Sequence, residues 1–154
     1  MPEIHEVAIA TDGSGPAAAA FQTACDLAKL AGARLTIVAV VPPEHVFTPE
    51  GRVLWQSAEG DRRFFQELLA RSREAAERSG VRAVAAVMPE GPVVEQLLNF
   101  VDEHRPDLLV VGARGLSTTR RILVGSVSDA LVHHARCSVL VVRGAAPPGP
   151  AVTA

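Results

Sequence analysis

Residues 108–126 read Leu108-Leu109-Val110-Val111-Gly112-Ala113-Arg114-Gly115-Leu116-Ser117-Thr118-Thr119-Arg120-Arg121-Ile122-Leu123-Val124-Gly125-Ser126. An apolar run stops at a glycine. A stretch rich in glycine, hydroxyl and arginine side chains follows, and Ser126 opens a segment of helical spacing. An uninterrupted apolar run suits a strand buried on both faces, as in parallel sheets covered by helices. Strand, glycine-rich loop and helix in that order form one unit of an α/β sheet.

The same alternation runs through the rest of the chain. Val7-Ala8-Ile9-Ala10 is a short apolar run stopped by Thr11-Asp12-Gly13-Ser14-Gly15. Pro16 suits the first position of a helix. Its apolar stripe is Ala17, Phe21, Ala24, Cys25, Ala28 and Ala31, and Gly32 ends it. Leu35 to Val41 reads as the second strand, stopped by Pro42-Pro43, and the segment from Glu44 to Ser57 is not diagnostic. A long helix is expected from Glu59 to Ser79, with Phe65, Leu68, Ser72, Ala75, Ala76 and Ser79 on its buried stripe. Glu67–Arg71 and Glu74–Arg78 are candidate i,i+4 ion pairs on its exposed face.

Val81 to Met88 reads as the third strand, ended by Pro89-Glu90-Gly91-Pro92. Val94, Leu97, Leu98 and Val101 mark a third helix, ending near His104-Arg105-Pro106. Leu108–Val111, a helix from Ser126 and a fifth strand, Val139–Val142, complete the pattern. The fold expected is α/β: a single-domain, open, doubly wound parallel sheet with helices on both faces, over residues 1–143. The tail, 144–154, is Ala, Pro and Gly without an apolar anchor and is expected to be disordered.

With 15 basic and 17 acidic residues, a net charge of −2 gives no electrostatic footprint for nucleic acid or an anionic membrane. Cys25 and Cys137 lie too far apart in sequence, and too far from other ligands, to mark a metal site; they read as buried thiols. The N-terminus has neither a basic n-region nor an apolar h-region, and no run approaches a membrane span. A cytoplasmic protein is expected.

Chemistry concentrates in the loop after the fourth strand, whose skeleton is G-x2-G-x9-G-S. Gly112 and Gly115 let backbone amides approach a ligand where a Cβ would intrude. Gly125-Ser126 stands where a helix begins, so unpaired amides and the helix dipole face any anion there. Arg114, Arg120 and Arg121 are within loop reach of phosphate oxygens. The same residues also fit an ordinary turn followed by a capping box, Ser126 with Asp129.

These glycines and serine, Asp12-Gly13-Ser14 after the first strand, and Ala135-Arg136-Cys137-Ser138-Val139-Leu140-Val141-Val142 together are similar to the universal stress protein family. The likeness runs from about Glu6 to Arg143. It implies strand order 3-2-1-4-5 and, because the glycine motif is whole, binding of ATP with Mg²⁺. By position, Asp12, with Gly13 and Ser14 beside it, would meet the ribose and phosphates, and Asp12 is the one candidate ligand for Mg²⁺. Val40 would offer backbone contacts to adenine. Gly112, Arg114 and Gly115 would follow the ribose and α-phosphate, and Gly125, Ser126 and Val127 the outer phosphates. Trp55 reads as a packed or dimer-facing aromatic rather than a base-stacking one. The resemblance also implies a homodimer through the fifth strand, an apolar edge that needs a partner.

A P-loop enzyme is excluded, because the only lysine, Lys29, lies within the first helix. A dinucleotide-binding reading of Gly13-x-Gly15-x-x-Ala18 is opposed by Asp12, whose carboxylate would face the pyrophosphate. It is opposed also by Val41-Pro42-Pro43, where a ribose-binding acid belongs. A third alternative is a dimeric adaptor of the same fold that binds no nucleotide, with its protein partner unknown. No activated nucleophile or base pair is recognisable among His5, His45, His104, His133 and His134. Any ATP hydrolysis is expected to be slow and Mg²⁺-assisted.

Overall fold

In chain order the elements are β1 (Glu6–Ala10), α1 (Gly15–Ala31), β2 (Arg34–Val38), β3 (Glu44–Phe47), β4 (Val53–Gln56), α2 (Glu59–Arg78), β5 (Val84–Val87), α3 (Val93–His104), β6 (Leu108–Gly112), α4 (Ser126–His134) and β7 (Ser138–Val142). They come from a computed structural model that describes residues 3–51, 53–56, 58–113 and 125–144. The expectations for Arg114, Gly115, Arg120, Arg121 and almost all of the tail lie outside the described residues.

The central sheet has the order β5-β2-β1-β6-β7, with every neighbouring pair parallel. This is the expected 3-2-1-4-5. The chain builds outward from β1 through β2 to β5, then returns to lay β6 against the other side of β1. The reversal therefore falls between β1 and β6.

Alternation along each strand divides the core into two layers. Val7, Ile9, Leu35, Ile37 and Val110 point to the face covered by Ala20, Ala24, Cys25 and Ala28 of α1 and Phe65, Leu69 and Ala76 of α2. Ala8, Val38, Leu109 and Val111 point to the other face, under Leu97, Phe100 and Val101 of α3 and Leu131 of α4. The small alanine stripe of α1 lets that helix lie close over the sheet centre. Thr36, buried within β2, donates its hydroxyl to the Glu6 carboxylate at 2.7 Å and so carries no unpaired polar group into the core.

Helix ends follow their local chemistry. Ser14 caps α1, its Oγ accepting from the Ala17 amide at 3.3 Å, and Gly32 closes it in the left-handed region at φ 63°. Pro16 lies in the first turn, and the helix begins at Gly15, one residue before the expected start.

Several boundaries and contacts differ from expectation. Residues 44–47 and 53–56 pair antiparallel, Glu44 opposite Gln56 and Phe47 opposite Val53, as a hairpin separate from the main sheet. Its turn is closed by the Gly51 amide donating to the Thr48 carbonyl at 2.9 Å, with Gly51 at φ 76°. The third parallel strand begins at Val84 rather than Val81, because the Val81 amide instead closes α2 by donating to the Ala76 carbonyl. The second ends at Val38 rather than Val41. Within α2, the i,i+4 ion pairs are Glu59–Arg63 and Arg73–Glu77, not Glu67–Arg71 and Glu74–Arg78. Exposed charged side chains choose among neighbours that differ by only fractions of a kcal/mol, about 0.3–0.5, so spacing does not fix the partner. Leu69 and Phe100 join the core from positions the expected stripes passed over, whereas Ala31 is exposed.

Candidate nucleotide site at the strand reversal

β1 and β6 stay paired from Val7↔Leu108 to Ile9↔Val110 and then part. A cavity of about 290 Å³ opens where they separate, beyond the carboxyl ends of the strands. Open α/β sheets place ligands at such a reversal. Ala10, Thr11 and Asp12 enter it from β1, Val111, Gly112 and Ala113 from β6, and Val38, Val40 and Pro42 from the β2 side. Gly125, Ser126, Val127 and Ser128 enter from the start of α4. Ala17, Phe65, Val93 and Leu97 close the walls from the remaining helices. One end is thus apolar, and the polar groups gather toward Asp12 and α4.

The turn after β1 fixes the Asp12 side chain. Its Oδ1 accepts the Ser14 amide at 2.9 Å, and Thr11 Oγ1 accepts the Gly13 amide at 3.3 Å. Gly13 sits at φ 78°, and a Cβ there would lie 3.2–3.3 Å from Leu68 and Phe64 of α2. Gly13 and Ser14 are not among the cavity-lining residues. Helix packing and helix capping account for both.

Val40 faces the cavity for a reason of strand geometry. The Ala39 amide donates to Val87 and the Val41 amide to Pro89, both toward the β5 side, while the Val38 carbonyl accepts from Thr11 on the β1 side. Alternation therefore turns the N–H and C=O of Val40 toward β1, which has already departed. A donor and an acceptor on one residue are presented to the apolar end of the cavity.

α4 supplies the opposite end. Its N-cap is Gly125, with no side-chain cap, and the Gly125 carbonyl accepts from the Asp129 amide at 2.9 Å and the Ser128 hydroxyl at 3.0 Å. The Ser126–Asp129 capping box is therefore not formed: Ser126 lies inside the first turn, one residue too late to cap it. The amides of Ser126, Val127 and Ser128 precede the first intrahelical donor, so they have no acceptor within the helix. They and the positive end of the helix dipole give this end an affinity for anions.

Asp12, Val40, Gly112, Gly125, Ser126 and Val127 are thus brought together from four separate segments. Thr11, Pro42, Phe65, Val93, Leu97 and Ser128 also line the cavity but carried no site signal in the sequence. Phe65 and Leu97 sit at helical core spacing, and nothing in that spacing distinguishes a cavity wall from the core.

Cys25 and Cys137 are free thiols, the first buried and the second half-buried, and burial is the leading cause that raises the pKa of each. Among the described residues no histidine lines the cavity and no group of three or more His, Cys, Asp or Glu could hold a metal. His104 stacks on Phe100 at 4.4 Å, and His133 lies 3.6 Å from the Asp129 carboxylate. Among the described residues, no helix is long and apolar enough to cross a membrane.

The sequence profile of the universal stress protein family matches residues 3–143. The chain belongs to the universal stress protein family. A protein of Staphylococcus haemolyticus that carries the family name is 40% identical over 144 residues, covering 93% of this chain and 87% of its own length. The solved universal stress protein UspA of Lactobacillus plantarum superposes with a TM-score of 0.82 at 22% identity, over 93% of this chain and all of that one, which establishes the shared fold. A universal stress protein solved in complex with cAMP superposes with a TM-score of 0.72 at 26% identity, over 92% of this chain and 99% of that one.

Proposed function

We propose that this universal stress protein binds ATP with Mg²⁺ in the cavity between β1 and β6, and that the bound nucleotide sets its conformation or choice of partner. One observation carries the reading. A single cavity joins an apolar end, where the Val40 backbone offers a donor and an acceptor, to an anion-seeking end made by the first turn of α4. An adenine nucleotide has those two halves in that order. Val38, Val40, Phe65 and Leu97 would hold the base, Asp12 the ribose or Mg²⁺, and Gly125, Ser126 and Val127 the phosphates. Gly112, and Arg114 and Gly115 in the following loop, would lie along the ribose and α-phosphate. The relative in complex with cAMP supports an adenine nucleotide in general.

Mg²⁺, held with the help of Asp12, would supply charge neutralisation of the phosphates. Among the described residues Asp12 is the one carboxylate that lines the cavity, so any hydrolysis would be slow and the reading is of a binding module. β7 ends the sheet, and a homodimer through that edge is part of the same proposal.

The test is calorimetric titration with Mg·ATP, and in parallel with cAMP, of wild type and Gly125→Asp. The variant places a carboxylate at the N-cap, facing the phosphates, on a backbone at φ −68° that any residue tolerates. Wild type should bind Mg·ATP, and the variant should give no heat while its thermal midpoint stays near that of wild type. Absence of heat and of thermal shift for wild type at about millimolar Mg·ATP, a free energy of only about −4 kcal/mol, would leave the dimeric adaptor as the better reading.

A further inference from the structure

Phe65 of α2 lines the cavity together with Val40 and Pro42. In the chain these segments are joined only through the β3–β4 hairpin and the start of α2. A third segment ties them together. Val41 forms a parallel bridge with Glu90, its amide donates to the Pro89 carbonyl at 2.9 Å, and its carbonyl accepts the Gly91 amide at 3.0 Å. The turn after β5 thus holds the strand that carries Val40 and Pro42.

The Glu90 carboxylate then reaches across to α2. Arg62 Nε lies 2.9 Å from Glu90 Oε1, and Arg62 Nη2 donates to Oε2 at 3.0 Å. This two-pronged geometry fixes orientation as well as distance. Arg62 stands three residues before Phe65, so the pair anchors the turn of helix that projects Phe65 into the cavity. Phe64, between them, packs edge-on against the Phe65 ring at 5.2 Å.

We propose that Arg62 and Glu90 are positioning residues of the nucleotide site: their ion pair holds the Phe65 wall at a set distance from Val40 and Pro42, and so sets the width of the base-binding end. This rests on the adenine-nucleotide reading of the cavity. Neither side chain lines the cavity, so the effect reaches the ligand only through the walls. The pair is about half exposed, side chains at 46% and 38%, which keeps its contribution small and makes it sensitive to salt.

The experiment compares wild type, Arg62→Ala, Glu90→Ala and the charge swap Arg62→Glu/Glu90→Arg. Mg·ATP affinity is measured by calorimetry at about 0.05 M and about 1 M NaCl. Each single variant should bind about three- to fivefold more weakly than wild type at low salt, the range an exposed ion pair can supply. The swap should recover most of that loss. At high salt the ratio of variant to wild type should fall toward one, and at low salt amide exchange in the single variants should quicken at 61–66 and at Glu90 and Gly91 while α1 is unchanged. A wild type that binds no adenine nucleotide overturns the functional reading and this proposal with it. A wild type that binds, with both single variants within about twofold of it, overturns the positioning role alone. Losses that the swap fails to recover, or that persist unchanged in high salt, overturn the ion pair as their cause.

Discussion

Asp12→Asn separates charge from shape at the strand reversal. In wild type, Asp12 Oδ1 accepts the Ser14 amide at 2.9 Å, and that bond organises the turn leading into α1. An asparagine keeps an oxygen at the same place, so the turn, the Ser14 cap and the thermal midpoint should survive. What the variant loses is the negative charge facing the cavity. A hydrogen bond to a charged group is worth about 1.5–3 kcal/mol and a neutral one about 0.5–1.5, so the exchange should cost about 1–2 kcal/mol of binding. Asp12 is half-buried, and partial solvent screening holds the expectation to about tenfold in Kd, close to 1.4 kcal/mol. The assay is a pair of calorimetric titrations, Mg·ATP and NAD, on wild type and variant. ATP should bind wild type, the variant should lose about tenfold, and NAD should compete poorly with both. If the variant binds ATP as tightly as wild type or more so, or if NAD displaces ATP at equal concentration, the carboxylate does not face ribose or Mg²⁺. The phosphates would then belong over Gly13 and Gly15.

Gly13→Ala should destabilise the fold by about 1–2 kcal/mol through its positive φ, lowering the thermal midpoint by about 2–8 °C in scanning calorimetry; an unchanged midpoint would mean that Leu68 and Phe64 yield and the turn relaxes. Val141→Arg should convert a dimer to a monomer in light scattering, and a dimer indifferent to that charge would place the interface away from β7. Asp107 accepts the Glu6 and His5 amides at 2.9 and 2.8 Å, and these bonds, Glu6 first, hold its carboxyl below the ordinary carboxylate range. A depressed folded value means stability that is present above the ordinary range and lost as pH falls through the folded one. Denaturation of wild type and Asp107→Asn should therefore differ slightly near neutrality and converge in acid, the small size following from exposure of the carboxyl to water. A gap that widens in acid would refute the sign.

The sheet was legible because its strands are short apolar runs cut by glycine and proline, as at Ala10–Thr11–Asp12–Gly13 and Val111–Gly112. Those same cuts mark the reversal, so Asp12, Gly112, Gly125 and Ser126, which line the cavity, stood out as candidates in the sequence. Phe65 and Leu97 could not, since a residue that packs on a helix beneath it and borders a cavity above it shows only its packing period. The hairpin at 44–56 escaped for another reason. Its two runs are four residues each, too short to show a period. The ends of the second and third parallel strands failed where backbone bonding, not composition, decides: Val41 and Val81 are as apolar as their neighbours but bond to a turn and a helix end.

The Gly125 amide donates to the Ala113 carbonyl at 2.6 Å, and the Ala113 amide donates to Val142 at 2.9 Å. The chain thus leaves the sheet at 113 and rejoins it at 125 through a gate one hydrogen bond wide, itself pinned to β7. A detour whose two ends are fixed by the scaffold can change length or composition at small cost, since closure entropy grows only with the logarithm of its length. Insertions or deletions between 113 and 125 should therefore cost the sheet little, since the bonds that fix those two positions do not depend on the length of chain between them. Selection can lengthen or rewrite that connection while the strands it leaves and the helix it enters keep their places.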